Sequence, residues 1–181
     1  MPIQALAVFC GSKEGTDPLF TQHTEALGTL LARQNITLIY GGGNVGLMGT
    51  VANTVLKGGG KVIGVIPQLL ADRERSHKGL TELLVVQDMH ARKKKLYELC
   101  DAALILPGGY GTMDEFFEMI TWNNLAIHNK RIFILNTNDF YRHLLAHIKQ
   151  MHAAGFLYEL PWEKIKVLSE PGELLPYLVV D

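Results

Sequence analysis

Cysteine is scarce in this chain: Cys10 and Cys100 are the two present among 181 residues, with no metal-ligand spacing and too few for a disulfide framework. No apolar run approaches the roughly 18 residues that cross a membrane. Met1-Pro2-Ile3-Gln4 lacks the basic region and cleavage site of a secretory signal. Charge of one sign is not in excess, the formal net charge being −1, and the seven histidines are scattered. This balance argues against a nucleic-acid binder relying on bulk positive charge. G-x-x-x-x-G-K-[ST] is absent, so a nucleoside triphosphate loop has no support. Repeats, low-complexity tracts and an interdomain linker are missing as well. These absences, with 48% hydrophobic residues, lead to the expectation of a soluble, reduced, cytoplasmic enzyme or binding protein without membrane or nucleic-acid partners.

What is present is an alternation of short apolar runs with longer helical periodicities, the pattern of a parallel sheet with crossover helices. Buried strands are expected at Ala5–Cys10, Ile36–Tyr40, Val62–Ile66, Leu83–Val86, Ala102–Leu106 and Ile132–Leu135, with a shorter seventh at Ile165–Leu168. Asp17-Pro18 supplies an N-cap and a first-position proline for a helix between the first two strands. Further helices are expected over Gly46–Leu56, Met89–Cys100, Thr112–Ile127 and Tyr141–Ala154. Gln68–Thr81 is the one long, charged, poorly patterned connection, a candidate mobile or substrate-covering segment. The fold class is a single doubly wound, Rossmann-like α/β domain over residues 1–181. Its mostly parallel sheet has six to seven strands, with helices on both faces.

In such sheets ligands bind beyond the carboxyl ends of the strands, near the topological switch point. Three glycine-bearing turns follow strands: CGS (10–12), GGGNVGLMG (41–49) and PGGYGT (107–112). A parallel sheet gathers them at one edge into a backbone-lined crevice. Gly41, Gly43 and Gly46 match G-x-G-x-x-G between a strand and a helix, a context suited to phosphate at a helix N-terminus. The ribose-binding carboxylate of a dinucleotide site is lacking, since the next strand ends Val65-Ile66-Pro67-Gln68. The alternative is that these glycines serve only a tight turn and close helix packing.

DMHARKKKLYE carries four consecutive cations, which helical phase separates. Met89, Arg92, Lys93, Leu96 and Cys100 share one stripe, while Lys94, Lys95 and Glu98 point away. Arg92 and Lys93 thus fall among residues that face the sheet. Burying an uncompensated charge costs several kcal/mol or more, so both are expected to meet anionic partners. Snorkelling at the stripe's margin is the alternative. In PGGYGTMDE, Gly108, Gly109 and Gly111 expose backbone N–H groups where a helix dipole favours an anion, and Glu115 stands one turn on. Thr112-x-x-Glu115 also reads as a capping box, with Asp114 as an exposed first-turn partner of the dipole. Glu118, a turn after Glu115, would support the same pocket or face solvent.

P-G-G-x-G-T-x-x-E at 107–115 resembles the signature of the LOG ("Lonely guy") family of cytokinin riboside 5′-monophosphate phosphoribohydrolases. VFCGS, YGGGNVGLMG, VIGVIP, DMHARK and ITWNNLAIH follow in family order, so the resemblance covers about residues 5–150. Met113-Asp114 stands where plant members commonly have Leu-Glu. The lysine-decarboxylase label often attached to this group finds no support, since RSHK at 75–78 is only superficially like a pyridoxal-phosphate lysine motif. The resemblance implies hydrolysis of the N-glycosidic bond of a nucleoside 5′-monophosphate, best an N6-modified adenosine monophosphate. It implies a homodimer, with Met119 and Trp122 on a helix face at the subunit interface or packed within the chain. Arg92 and Glu115 match the catalytic pair. Lys93, Gly108, Gly109, Tyr110, Gly111, Thr112, Thr121 and Glu74 match substrate-binding positions, and Gly42, Gly43 and Met89 are counted with them. No metal or redox cofactor is called for. A non-catalytic nucleotide-binding or carrier protein of the same fold is the alternative. Cys10 reads as a small crevice-lining residue rather than a nucleophile, and His143 and His147 lack a third ligand.

Overall fold

Seven apolar runs form seven strands: β1 (Ala5–Phe9), β2 (Thr37–Tyr40), β3 (Val62–Pro67), β4 (Glu82–Val86), β5 (Ala102–Ile105), β6 (Arg131–Leu135) and β7 (Ile165–Leu168). The computed structural model describes residues 2–71, 76–158 and 161–178. All seven strands join one sheet in the order β4-β3-β2-β1-β5-β6-β7, and every pairing is parallel. Parallel neighbours need crossovers, and these are supplied by α1 (Pro18–Arg33), α2 (Gly46–Lys57), α4 (Met89–Leu99), α5 (Tyr110–Asn124) and α6 (Arg142–Ala153). Short helices α3 (Gln68–Ala71) and α7 (Leu175–Leu178) complete the described set.

Strand alternation divides the core into two layers. Leu6, Val8, Leu38, Tyr40, Leu104 and Phe133 face α1 and α2, burying Leu27, Leu31, Leu47, Val51 and Val55. Ala7, Phe9, Ile39, Ile105, Ile132 and Ile134 face the other way onto Leu96, Tyr97, Phe116, Met119 and Ile148. Both faces of the inner strands are covered, which is why they read as continuous apolar runs. The Asp17-Pro18 start behaves as read: Asp17 Oδ1 accepts from the Leu19 N–H at 2.9 Å, with Pro18 in the first turn. Strand order reverses between β1 and β5, so the turns after these two strands diverge to open a crevice at their carboxyl ends.

Two expectations need correction. Helix α5 begins at Tyr110 rather than Thr112, capped by Gly109 without a side-chain hydrogen bond, and ends at Asn124. Thr112 is therefore inside the first turn, and the capping box does not form. Its hydroxyl instead packs against Gly108, where an added Cβ would strike Thr112 Oγ1. Met119 is fully buried and Trp122, partly buried, packs edge-on against Tyr97 at 4.8 Å, in keeping with the reading of helix-face packing within the chain. Finally, Gln68–Thr81 is anchored in its second half. Ser76 bridges to Gly43, the His77 N–H donates to the Gly42 carbonyl at 3.1 Å, and buried His77 Nε2 meets Asn53 Oδ1 at 2.9 Å.

Candidate active site

The crevice at the switch point holds a pocket of about 340 Å³. Its floor comes from the end of β1 and the turn after it (Val8 to Ser12), with Gly41 and Met48 on one side. Gly109, Tyr110, Gly111 and Thr112 form the opposite rim, and Arg92 and Glu115 enter from α4 and α5. The two candidate catalytic side chains thus share one pocket although 23 positions separate them in sequence.

Arg92 reaches the pocket by crossing the ends of two strands. Its Nε donates to the Val65 carbonyl at 3.1 Å and its Nη2 to the Gly41 carbonyl at 3.1 Å, while Nη1 lies 3.8 Å from Met89 Sδ. Only 8% of the residue is exposed. Any residue but glycine at position 41 would collide with Nη2, so that glycine makes room for the guanidinium. Two carbonyl dipoles orient the planar fork without neutralising it. Among the described residues no carboxylate lies within ion-pair distance of Arg92.

Glu115 is partly buried on the inner wall, and its carboxylate accepts no hydrogen bond from the described residues. Burial out of water pushes its pKa up to about 7; the Arg92 and Lys93 charges oppose this, and Asp114 and Glu118 add to it. A carboxyl poised near neutrality in a cleft is the profile of an acid–base or charge-stabilising group. Cys10 shares the pocket, but burial, with the Glu115 charge, pushes its thiol far up, so it stays protonated and unreactive.

The glycines of the two long loops differ in purpose. Gly46 adopts φ +56°, and a side chain there would run into the Ser12–Lys13 backbone, so it joins the turns after β1 and β2. Gly42 and Gly43 are engaged by His77 and Ser76 and do not line the pocket. In this loop the packing explanation accounts for Gly41, Gly42 and Gly46. At Gly109 and Gly111 a Cβ would meet nothing within 4 Å and φ is not positive, so no protein neighbour requires glycine there. Both line the pocket at the N-terminus of a 15-residue helix, where the first N–H groups have no intrahelical acceptor.

Other site candidates lie elsewhere. Lys93 Nζ is held by Asp114 at 3.0 Å and Glu118 at 3.4 Å, joining α4 to α5 beside the pocket, and Glu118 also accepts from the Tyr97 hydroxyl at 2.7 Å. Lys93 does meet anions, but they are protein carboxylates. Asp114, expected at a helix terminus, is a member of this cluster in the second turn. Thr121 is exposed and its hydroxyl donates to the Phe117 carbonyl at 2.7 Å, away from the pocket. Met89 is 41% exposed at the start of α4. Glu74 lies outside the described residues. Ser12 and Met48 lie in turns that the sequence places at the crevice, whereas Val8 and Phe9, inside the run that forms β1, are lining residues that sequence reasoning missed. Among the described residues no group of His, Cys, Asp and Glu could hold a metal, and no helix is long and apolar enough to cross a membrane.

Fold and pocket together define a class: a doubly wound α/β protein whose switch-point crevice combines free helix-terminal amides, a buried guanidinium and a carboxyl poised near neutrality. Comparison with known proteins makes this particular. A family model described as "Possible lysine decarboxylase" matches residues 48–178. The chain is 48% identical over 155 residues to the cytokinin riboside 5′-monophosphate phosphoribohydrolase of Rhodococcoides fascians, covering 85% of this chain and 78% of that one. It is 43% identical over 167 residues to the Arabidopsis thaliana enzyme of that name, LOG1, covering 92% and 78%. The chain belongs to this family, that of the LOG phosphoribohydrolases. Among solved structures, the molybdenum cofactor binding protein of Rippkaea orientalis superposes with a TM-score of 0.72 at 20% identity, over 97% of this chain and 95% of that one. The molybdenum cofactor carrier protein of Chlamydomonas reinhardtii gives 0.70 at 17%, over 95% and 93%. These two likenesses concern the fold alone. The lysine-decarboxylase description finds no counterpart in the pocket: no lysine lines it, and Lys78 of RSHK is exposed.

Proposed function

We propose that this protein hydrolyses the N-glycosidic bond of a nucleoside 5′-monophosphate, best an N6-modified adenosine monophosphate, to free base and ribose 5-phosphate. The observation that carries the reading is Glu115: a carboxyl without a hydrogen-bond donor among the described residues, raised to about 7, in one pocket with Arg92 and the open glycine rim. Cleaving the bond builds oxocarbenium character on the sugar, which the ionised Glu115 stabilises, or against which it activates water. Arg92, fixed by the Gly41 and Val65 carbonyls, offsets negative charge developing on the leaving base. The free amides of Gly109 to Thr112 hold the 5′-phosphate, and that remote binding orients the ribose over Glu115. Pure binding would need no unpaired carboxyl next to the sugar, which disfavours the carrier alternative.

The decisive assay incubates the purified protein with AMP and with isopentenyl-AMP and measures free base and ribose 5-phosphate. Turnover of the N6-substituted nucleotide is expected. Absence of turnover with both substrates sinks the reading. The protein is also proposed to act as a homodimer through the exposed apolar face at the end of α5, where Phe117, Leu125 and Ile127 are 40%, 65% and 60% exposed. Thr121 stands on that same exposed side, so it would reach a nucleotide from across such an interface. Light scattering on the wild type and on Leu125→Asp tests this, with a shift of the variant to monomer as the expected result.

A further inference from the structure

We infer that Tyr141 is a positioning residue of the active site, its buried hydroxyl holding the Pro107 turn so that the amides of Gly109 to Thr112 face the pocket. The inference rests on the nucleotide reading of that rim. Tyr141 is 3% exposed and follows the 3₁₀ turn Thr137–Asp139. Its Oη donates to the Leu106 carbonyl at 2.6 Å. The hydroxyl thus holds the carbonyl directly before Pro107, one residue past the end of β5 and just ahead of the glycine rim.

The turn is held on its other side as well. The Leu106 N–H donates to the Phe9 carbonyl at 2.9 Å, and the Pro107 carbonyl accepts from the Gly11 N–H at 3.0 Å. Proline brings no N–H of its own. Every backbone polar group of Leu106 and Pro107 is therefore engaged, whereas the N–H groups of Gly109 to Thr112 donate to no backbone acceptor among the described residues. Fixing the turn and leaving the rim's donors unused are two parts of one arrangement: donors aimed in advance at an anion bind it without reorganisation.

Tyr141 is itself set by a strained segment. Asn138 and Asp139 both hold positive φ, 48° and 55°, conformations that non-glycine residues adopt at a cost. Asn138 Nδ2 donates to Asp17 Oδ2 at 2.8 Å, Asn136 Nδ2 to Asp139 Oδ1 at 3.1 Å, and the Tyr141 N–H to Asn136 Oδ1 at 2.7 Å. Buried tyrosines that serve only as filler need no such support. Tyr40, equally buried on the sheet's other face, has no partner for its hydroxyl among the described residues.

The test compares wild type and Tyr141→Phe in steady-state kinetics with AMP or isopentenyl-AMP, and in calorimetric binding of ribose 5-phosphate, which carries the phosphate and sugar but no base. Phenylalanine keeps the packing and frees the Leu106 carbonyl. Expected are a roughly tenfold rise in KM and a similar loss of ribose 5-phosphate affinity, with kcat within about twofold and the pH profile unmoved. Asn136→Ala, which loosens Tyr141 without touching the hydroxyl, serves if Tyr141→Phe does not fold, and is expected to weaken ribose 5-phosphate binding about threefold. Unchanged KM and affinity in the folded variant, with only a lower Tm, overturn the inference and leave the site reading standing. A wild type that binds neither AMP nor ribose 5-phosphate overturns both.

Discussion

Replacing Glu115 by Gln removes a charge and little volume, and the structure gives the consequence a sign. Burial lifts the Glu115 pKa from an ordinary carboxyl value of 4.5 to about 7. Between these values the folded protein binds more proton at this site than the unfolded chain does, so stability falls as pH rises. The stabilisation present below about pH 4.5 is lost by the time pH passes 7. The full shift corresponds to about 3 kcal/mol. Because the carboxyl is only partly buried and the pocket is open to water, a discounted range of about 1 to 3 kcal/mol is expected. Glutamine carries no such penalty, so Glu115→Gln is expected to be the more stable protein at pH 8. For a chain of this size the gain in Tm is roughly 3–10 °C, with the two proteins converging near pH 4.5. Thermal unfolding of both across pH 4.5 to 8.5 measures this, and the variant's turnover is expected to vanish while its AMP affinity persists. A Tm difference that does not change with pH refutes the electrostatic argument. A less stable variant at pH 8 would restore a capping role, which the start of α5 at Tyr110 argues against.

Gly111→Ala places a better helix former in the first turn of α5 where no protein atom opposes it. Tm is therefore expected to hold or rise, by up to about 1 kcal/mol of stability, while KM for AMP rises at least about tenfold. Gly108→Ala is the counterpart: its methyl strikes Thr112, and a loss of about 1–3 kcal/mol in chemical denaturation is expected. Arg92→Lys keeps the charge but cannot serve the Gly41 and Val65 carbonyls together, so kcat/KM is expected to fall by about 10²-fold or more in the base-release assay. Tyr40→Phe deletes a buried hydroxyl with no partner among the described residues, and urea unfolding is expected to show a gain of about 1 kcal/mol.

Much of this molecule is legible in the chain. Each strand can be read within a residue or two because buried parallel strands are uninterrupted apolar runs, and Asp17-Pro18 marks a helix start unaided. Helical phase alone separates Arg92 from Lys94, and burial follows that phase. Reading fails where neighbours distant in sequence decide the outcome. Thr112-x-x-Glu115 has the letters of a capping box, yet Gly109 takes the cap and the Thr112 hydroxyl packs against Gly108 inside the first turn. Lys93 shares the stripe of Arg92, but Asp114 and Glu118 lie one turn apart on the facing helix and capture it. No local pattern announces that register.

The two glycine loops show how a site can be told from a motif. G-x-G-x-x-G at 41–46 carries the better-known pattern, yet Gly41 accommodates Arg92 and Gly46 accommodates the turn after β1. Packing is sufficient cause for both. Gly109 and Gly111 have no such collision to avoid, and at Gly111, inside the first turn, alanine would suit the helix better. Glu115, its pKa raised by burial, is likewise expected to lower stability at neutral pH, and Arg92 is stripped of water in return for two carbonyls. Each choice is poor for folding taken alone, and all of them face one pocket of about 340 Å³. Local conflict with the fold's own requirements is the mark of a functional site. Here it supports the proposal that the rim at 109–112, rather than the loop at 41–46, binds the phosphate, and on that proposal Gly111→Ala separates binding from stability more sharply than any change at Gly41.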